Sequence, residues 1–164
     1  MKNVKQIMAN EPLSCGSHES LKHALELMFQ YNIGSLPVVD KESKVIGMLT
    51  DRDICAAQWK TQMSLYELKI NDAMSTPVYT CSVNDDIKKA LEIMRIKKVG
   101  RLPVIDKKDR LVGMISLNTI VRQLHGTNDG AEIVFEGKEN VVNTLHSISE
   151  RNHHLSFEYS NFEE

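Results

Sequence analysis

Leu21, Ala24, Leu25 and Met28 fall on one side of a 3.6-residue period, and Ile87, Ala90, Leu91 and Met94 do the same further along the chain. This spacing predicts an amphipathic helix at each place, with Ser17 and Ser82 as candidate N-caps and Gly34 and Gly100 as the stops. The runs that follow, SLPVVD and RLPVID, predict short buried strands, proline being tolerated near a strand start. Polar turns, KESK and KKDR, lead into VIGMLT and LVGMIS, whose residues suit a pleated, buried surface and predict the partner strand of a hairpin. Behind these, DRDICAAQWK and LNTIVRQLHG place Asp or Asn near the front of apolar residues at helical spacing, a second helix each time. With an extended segment near PLSC and another near PVYTC, the order β-α-β-β-α occurs twice.

The two runs are copies of one unit. At a constant offset of 66 residues, 13 of the 31 positions from Ala24 to Ile54 are identical in Ala90 to Ile120, where average residue usage gives about two by chance. Leu27 with Ile93, Ile33 with Val99, Val39 with Ile105 and Leu49 with Ile115 are conservative pairs, so core positions repeat as well as composition. Met8 matches Met74 at the same offset, whereas Pro12 matches Pro77 one residue short of it. An internal repeat decides architecture before any side-chain chemistry is considered. The expectation is an α/β (α+β) fold of two pseudo-symmetric repeats, residues 1–65 and 66–126, packed as a pair.

Residues 127–164 lie outside the repeat and open on a turn signal, TNDG. AEIVFEG reads as a short strand, Val141, Val142, Leu145 and Ile148 mark an amphipathic helix, and LSFEYS alternates as a strand would. The expected place for this extension is against the chain's own dimer or a partner. Trp59, the single tryptophan, reads as helix packing or dimer interface.

Composition adds mainly exclusions. The 164 residues are 41% hydrophobic and 26% charged, ordinary for a folded globular chain. A formal net charge of −2 creates no field that would gather polyanions, so no nucleic-acid partner is expected. Cys15, Cys55 and Cys81 are odd in number and form no CxxC pair, which suits a reducing cytoplasm. MKNVKQIMANEP has no apolar core of signal-peptide length, and charges interrupt every apolar run before it reaches 18 residues, so no membrane partner is expected.

Enzyme signatures are missing: the sequence contains no GxSxG, HExxH, GxxxxGK[ST] or GxGxxG. His153 and His154 form the one close histidine pair, at neither strand nor helix ligand spacing, and no metal site is expected. The expectation is a protein that is not itself an enzyme.

Helix, then Gly-x-Leu-Pro-Val-x-Asp, a turn, and Gly-Met-hydrophobic-Thr/Ser, twice in order and over about residues 1–125, closely resembles the CBS (cystathionine-beta-synthase type) domain family. The resemblance implies a pair of repeats packed through their sheets, a stand-alone Bateman module, with clefts that hold an adenosyl ligand such as AMP, ADP, ATP or S-adenosylmethionine. It further implies homodimers and an unknown regulated protein whose geometry the ligand shifts; no other cofactor is required.

GMLTDRD in the first repeat matches the family pattern and makes Thr50 and Asp53 the sharpest ligand-binding candidates. An Asp in the first helical turn can accept both ribose hydroxyls, while Thr and helix N-terminal amides can donate to phosphate. The same residue types also serve as plain helix caps. The resemblance casts Leu36, Pro37 and Val38, with Leu102, Pro103 and Val104, as the segment whose backbone reads the adenine edge, though each also suits core packing. Ser14, Cys15, Tyr79 and Thr80 would line the same clefts. GMISLNT in the second repeat keeps Ser116 but has Thr119 where Asp is expected, and one hydroxyl cannot accept a diol through two oxygens. Arg101 is placed for ligand phosphates, with an exposed strand-end arginine as the bland alternative, and Arg52 ranks below it. The expectation is one principal site around Thr50 and Asp53. The competing reading is a structural dimerisation module with empty clefts.

Overall fold

A computed structural model describes residues 3–125 and 138–153. The elements are α1 (Val4–Ile7), β1 (Ala9–Asn10), β2 (Cys15–Gly16), α2 (Leu21–Gln30), β3 (Ser35–Val39), β4 (Val45–Thr50), α3 (Asp51–Thr61), a 3-10 turn at Ile70–Asp72, β5 (Cys81–Ser82), α4 (Ile87–Lys97), β6 (Arg101–Ile105), β7 (Leu111–Ser116), α5 (Leu117–His125) and α6 (Lys138–His153). The twofold β-α-β-β-α order of the sequence is present, in a mixed α+β fold with a three-stranded sheet, β2-β3-β4, and a four-stranded one, β1-β7-β6-β5.

Two compact units divide the chain, and neither is a single stretch of sequence. Glu11–Val78 joins Ile105–Val112 in one; residues 3–10 join Tyr79–Val104 and the segments from 113 onward in the other. In the first, β3 runs parallel to β2 (Cys15 beside Val38) and antiparallel to β4 (Ser35 beside Thr50). Leu21, Ala24 and Met28 of α2 close over Leu36, Val38 and Leu49 with Ile54 of α3, all essentially inaccessible to water. Burying a side chain of this size stabilises by roughly 1.5–3 kcal/mol. Ile87, Ala90, Leu91 and Met94 repeat that core in the other unit with Leu102, Val104, Ile115 and Ile120.

The segment leading each repeat docks on the other repeat, and the contacts recur at the 66-residue offset. Val4 and Lys5 amides donate to the Asp85 and Val83 carbonyls; Ile70 and Asn71 amides donate to those of Glu19 and Ser17. Val4 and Ile70 are both fully buried. Ala9 then pairs with Met114 on β7, and Ser75 with Met48 on β4. This exchange accounts for the motif glycines. A β-carbon on Gly47 would stand 2.7 Å from Met74 Sδ, and one on Gly113 would stand 2.5 Å from Met8 Sδ. A side chain at either glycine would require the thioether above it to move.

Local expectations need two corrections. The N-caps of α2 and α4 are Ser20 and Asp86, accepting from the His23 and Lys88 amides, rather than Ser17 and Ser82. Gly34 and Gly100 are not the left-handed stops; Asn32 (φ 51°) and Lys98 (φ 52°) take that conformation. The two glycines instead present their carbonyls to the first amides of the next helices, Asp51 at 3.3 Å and Leu117 at 2.9 Å. The Asp ending each Leu-Pro-Val run closes its hairpin: Asp40 Oδ1 accepts from the Glu42 and Lys44 amides, and Asp106 Oδ1 from those of Lys108 and Arg110.

The helix foreseen in the extension is α6, but its buried stripe is shifted. Val141 and Thr144 are buried, Ile148 is half-buried, and Val142 and Leu145 face water. Thr144 can be buried because its hydroxyl donates to its own helix, at the Asn140 carbonyl 2.6 Å away, and lies 3.4 Å from the Leu91 carbonyl of α4. The strands foreseen at AEIVFEG and LSFEYS lie outside the described residues.

Candidate functional site

In the first repeat the end of β4 and the start of α3 form a closed cap. Thr50 is the N-cap residue; its Oγ1 accepts from the Asp53 amide at 3.2 Å, while its own amide and hydroxyl donate to Asp53 Oδ2 at 2.8 and 2.7 Å. The cap reading of these residues is therefore physically present. Asp53 is half-buried, and its Oδ1 accepts no hydrogen bond among the described residues, so one carboxylate oxygen stays open to a donor.

The helix amides are less available than the sequence implied. Asp51 N–H donates to the Gly34 carbonyl, Arg52 N–H to Asp51 Oδ1 at 2.8 Å, and Asp53 N–H to Thr50. A phosphate would have to displace all three, next to two carboxylates and the exposed Arg52. Asp51 occupies a free position of the motif, and the fold brings it over Gly34, where a β-carbon would lie 3.2 Å from its Oδ2.

The same sheet carries the other first-repeat candidates. Leu36, Pro37 and Val38 are buried at the centre of β3, so packing is part of their role. The Pro37 carbonyl faces Cys15, whose thiol lies 3.7 Å away as a weak donor. Burial pushes the Cys15 thiol up to about 12, with Glu19 adding to the effect. Ser14 is half-buried just before β2. Ser14, Cys15, Leu36–Val38, Thr50 and Asp53 thus share one three-stranded sheet and the helix leaving it.

The second repeat builds the same cap from hydroxyls. Thr119 N–H donates to Ser116 Oγ at 3.1 Å, and the two side-chain oxygens are 2.9 Å apart. Leu117 and Asn118 stand where the first repeat has Asp51 and Arg52, so no charged side chain lies between the paired hydroxyls. Leu102, Pro103 and Val104 are buried on β6, and Arg101 opens that strand exposed. Tyr79 and Thr80 are half-buried before β5, and the Lys97 ammonium sits 4.9 Å from the Tyr79 ring centre. Lys97 was not a sequence candidate; a lysine in the last turn of a helix carries no signal until the tyrosine is placed against it. Cys81 matches Cys15, its thiol pushed up to about 12 by burial, with Asp85 raising it further.

Among the described residues no cluster of His, Cys, Asp or Glu could hold a metal ion, and no helix is long and apolar enough to cross a membrane.

The CBS domain model matches the chain twice, over residues 4–60 and 70–126. The chain belongs to the CBS domain family. It is similar to the CBS domain-containing protein YhcV of Bacillus subtilis, 29% identical over 142 residues that make up 86% of this chain and 99% of that protein. It is also 31% identical over 123 residues, 75% of this chain, to the inosine-5'-monophosphate dehydrogenase of Methanocaldococcus jannaschii, of which it spans about a quarter of the length, 24%. Among solved structures it resembles a CBS domain pair in complex with 5'-methylthioadenosine and S-adenosyl-L-methionine, at 26% identity and a TM-score of 0.68, covering 77% of this chain and 98% of that one. The repeated motif therefore marks a CBS pair, and the match to the dehydrogenase is confined to a segment of that enzyme.

Proposed function

We propose that this CBS pair is a regulatory module that binds an adenosyl ligand, AMP, ADP, ATP or S-adenosylmethionine, and passes its level to a partner protein without catalysing a reaction itself. It works in the cytoplasm as a homodimer, with neither membrane nor nucleic acid as partner. The observation that carries the reading is Asp53: a half-buried carboxylate at a helix start with one oxygen engaged by the cap and the other open. A ribose hydroxyl donating to Oδ1 would complete it without breaking the cap. The related pair solved with 5'-methylthioadenosine and S-adenosyl-L-methionine supports an adenosyl group as the recognised part.

Within that class the first-repeat site favours a ligand recognised through ribose over one anchored by phosphate at α3, because the α3 amides are engaged and Asp51 and Asp53 are both acidic. Ser14, Cys15 and Leu36–Val38 would wall the base, with Arg52 at the rim. Tyr79, Thr80, Arg101, Leu102–Val104, Ser116 and Thr119 would form the second, weaker site. The self-contained caps also favour a second reading, a structural module that holds no ligand.

Calorimetric titration with 5'-methylthioadenosine, S-adenosylmethionine, AMP and ATP decides between them. Binding that Asp53→Asn weakens by roughly 10-fold or more, the value of one charged hydrogen bond, is the expected result. Absence of heat across the four ligands, or equal affinity in the variant, would overturn the ribose reading.

A further inference from the structure

We infer that the cavity between α4 and α6 binds an acidic α-amino acid, a ligand whose two carboxylates and one ammonium match the two cations and one carboxylate that line it. The inference stands apart from the adenosyl proposal, with which it shares no residue.

The cavity has a volume of about 180 Å³ and is lined by Lys88, Leu91, Glu92 and Arg95 of α4 and by Asn140 and Thr144 of α6. Both helices belong to one compact unit. Leu91 and Thr144 are buried, and the Thr144 hydroxyl is engaged by the Asn140 carbonyl of its own helix. The open chemistry is therefore carried by the half-buried Lys88 and the exposed Glu92, Arg95 and Asn140. Lys88, Glu92 and Arg95 follow one another at helical spacing, so positive, negative and positive groups alternate along one face. None of these three side chains, nor the Asn140 amide group, has a hydrogen bond or ion pair among the described residues.

The first repeat supplies the comparison. At the 66-residue offset Lys88, Glu92 and Arg95 become Lys22, Glu26 and Phe29. Lys22 and Glu26 close on each other as an ion pair, whereas Lys88 and Glu92, at the same spacing, stay open beside α6. The second cation, Arg95, is likewise peculiar to α4.

The order of charges selects the ligand. Two cations and one carboxylate leave the lining with a net charge of +1. A neutral amino acid would not balance it, and a dicarboxylate without an amine would leave Glu92 facing only like charge. An acidic amino acid carries −1 and the complementary order of groups. Glu92 and Arg95, with β-carbons roughly 5–6 Å apart, suit the adjacent ammonium and carboxylate of an α-amino acid. The Arg95 guanidinium can meet both oxygens of that carboxylate, and Lys88, one turn to the other side of Glu92, can meet the side-chain carboxylate. Asn140 offers a donor and an acceptor from the facing wall.

Titration of the full chain with L-glutamate, followed by proton–nitrogen NMR, tests the inference. The expected Kd is about 1 mM, as for a small ligand in an open cleft, with shifts centred on α4 and α6. Arg95→Gln is expected to weaken binding by roughly 10-fold or more, the loss of a charged hydrogen bond. Glu92→Gln is expected to weaken L-glutamate but to strengthen glutarate, which lacks the amine, because the variant removes a repelling carboxylate. Lys89→Gln, on the same helix but outside the cavity, removes an equal charge and is expected to change affinity by less than about 2-fold. Absence of shifts at about 10 mM, roughly ten times the expected Kd, would overturn the site. So would equal affinity in Arg95→Gln, or a Lys89→Gln loss as large as that of Arg95→Gln. Glutarate binding the wild type as tightly as L-glutamate would overturn the amino-acid assignment. Titration of the same samples with S-adenosylmethionine reads the adenosyl proposal independently.

Discussion

The glycines beneath the exchanged segments offer the sharpest test of why the Gly-Met pair recurs. At Gly47 a new methyl would meet Met74 Sδ at 2.7 Å and the Ser75 carbonyl only at an ordinary 3.4 Å. At Gly113 it would meet Met8 Sδ at 2.5 Å and the Ala9 carbonyl at 3.0 Å, and that carbonyl belongs to β1, whose pairing with β7 restrains it. Overpacking by one methyl costs roughly 1–3 kcal/mol, and replacing glycine returns about 0.4–1 kcal/mol by restricting the unfolded chain. Because a methionine tip can swing and a backbone carbonyl cannot, Gly113→Ala should lose about 2 kcal/mol, and Gly47→Ala should stay within about 0.5 kcal/mol of neutral. For a chain of this size that is a fall in Tm of roughly 4–8 °C for the first and about 2 °C or less for the second. Thermal and urea unfolding of both variants, each repeated in a Met8→Ala or Met74→Ala background, would measure it. The Met74→Ala background should remove whatever cost Gly47→Ala has, while Met8→Ala should relieve Gly113→Ala only in part. Equal losses in the two repeats, or no relief from either truncation, would refute the exchange as the reason for the glycines.

Two further expectations concern titration and reactivity. Asp106 accepts two bonds from Arg110, at 2.9 and 2.7 Å, and these hold its carboxyl at about 2, below the usual 3.8. Since the folded value is the lower one, its contribution to stability is present above the ordinary carboxylate range and fades as the pH falls from about 4 to 2. Carboxyl NMR should show that low midpoint, and Arg110→Ala should move it back towards 3.8. Cys55 is exposed whereas Cys15 and Cys81 are buried with thiols near 12, so a thiol reagent at pH 8 should modify Cys55 alone in the native protein and all three after unfolding. Rapid native modification of Cys15 or Cys81 would contradict their placement.

Most elements were legible in the sequence because their signals are local. Apolar residues at helical spacing over Leu21–Met28 and Ile87–Met94, and pleat-forming runs on either side of polar turns, predict helices and strands without reference to the rest of the chain. The 66-residue self-similarity made each element count twice, and with the Leu-Pro-Val and Gly-Met motifs it was enough to place the chain in its family. Thr50 and Asp53 were visible for the same reason, being three residues apart on a motif.

Tertiary structure decided what no window of sequence contains. Ala9–Asn10 and Ser75 are too short to carry a strand signal, and only the sheet of the opposite repeat gives their amides and carbonyls partners. Gly47 and Gly113, read as strand residues, proved to be clearances for Met74 and Met8 arriving from far along the chain. On α6, Val141 and Thr144 rather than Val142 and Leu145 are buried, and the Thr144 hydroxyl, satisfied within its own helix, lies 3.4 Å from the Leu91 carbonyl of α4, a neighbour that no local window of sequence contains. The state of the Asp53 carboxylate, one oxygen bound and one open, belongs to the same class: sequence supplies the groups, and only their packed positions determine which hydrogen bonds remain to be made.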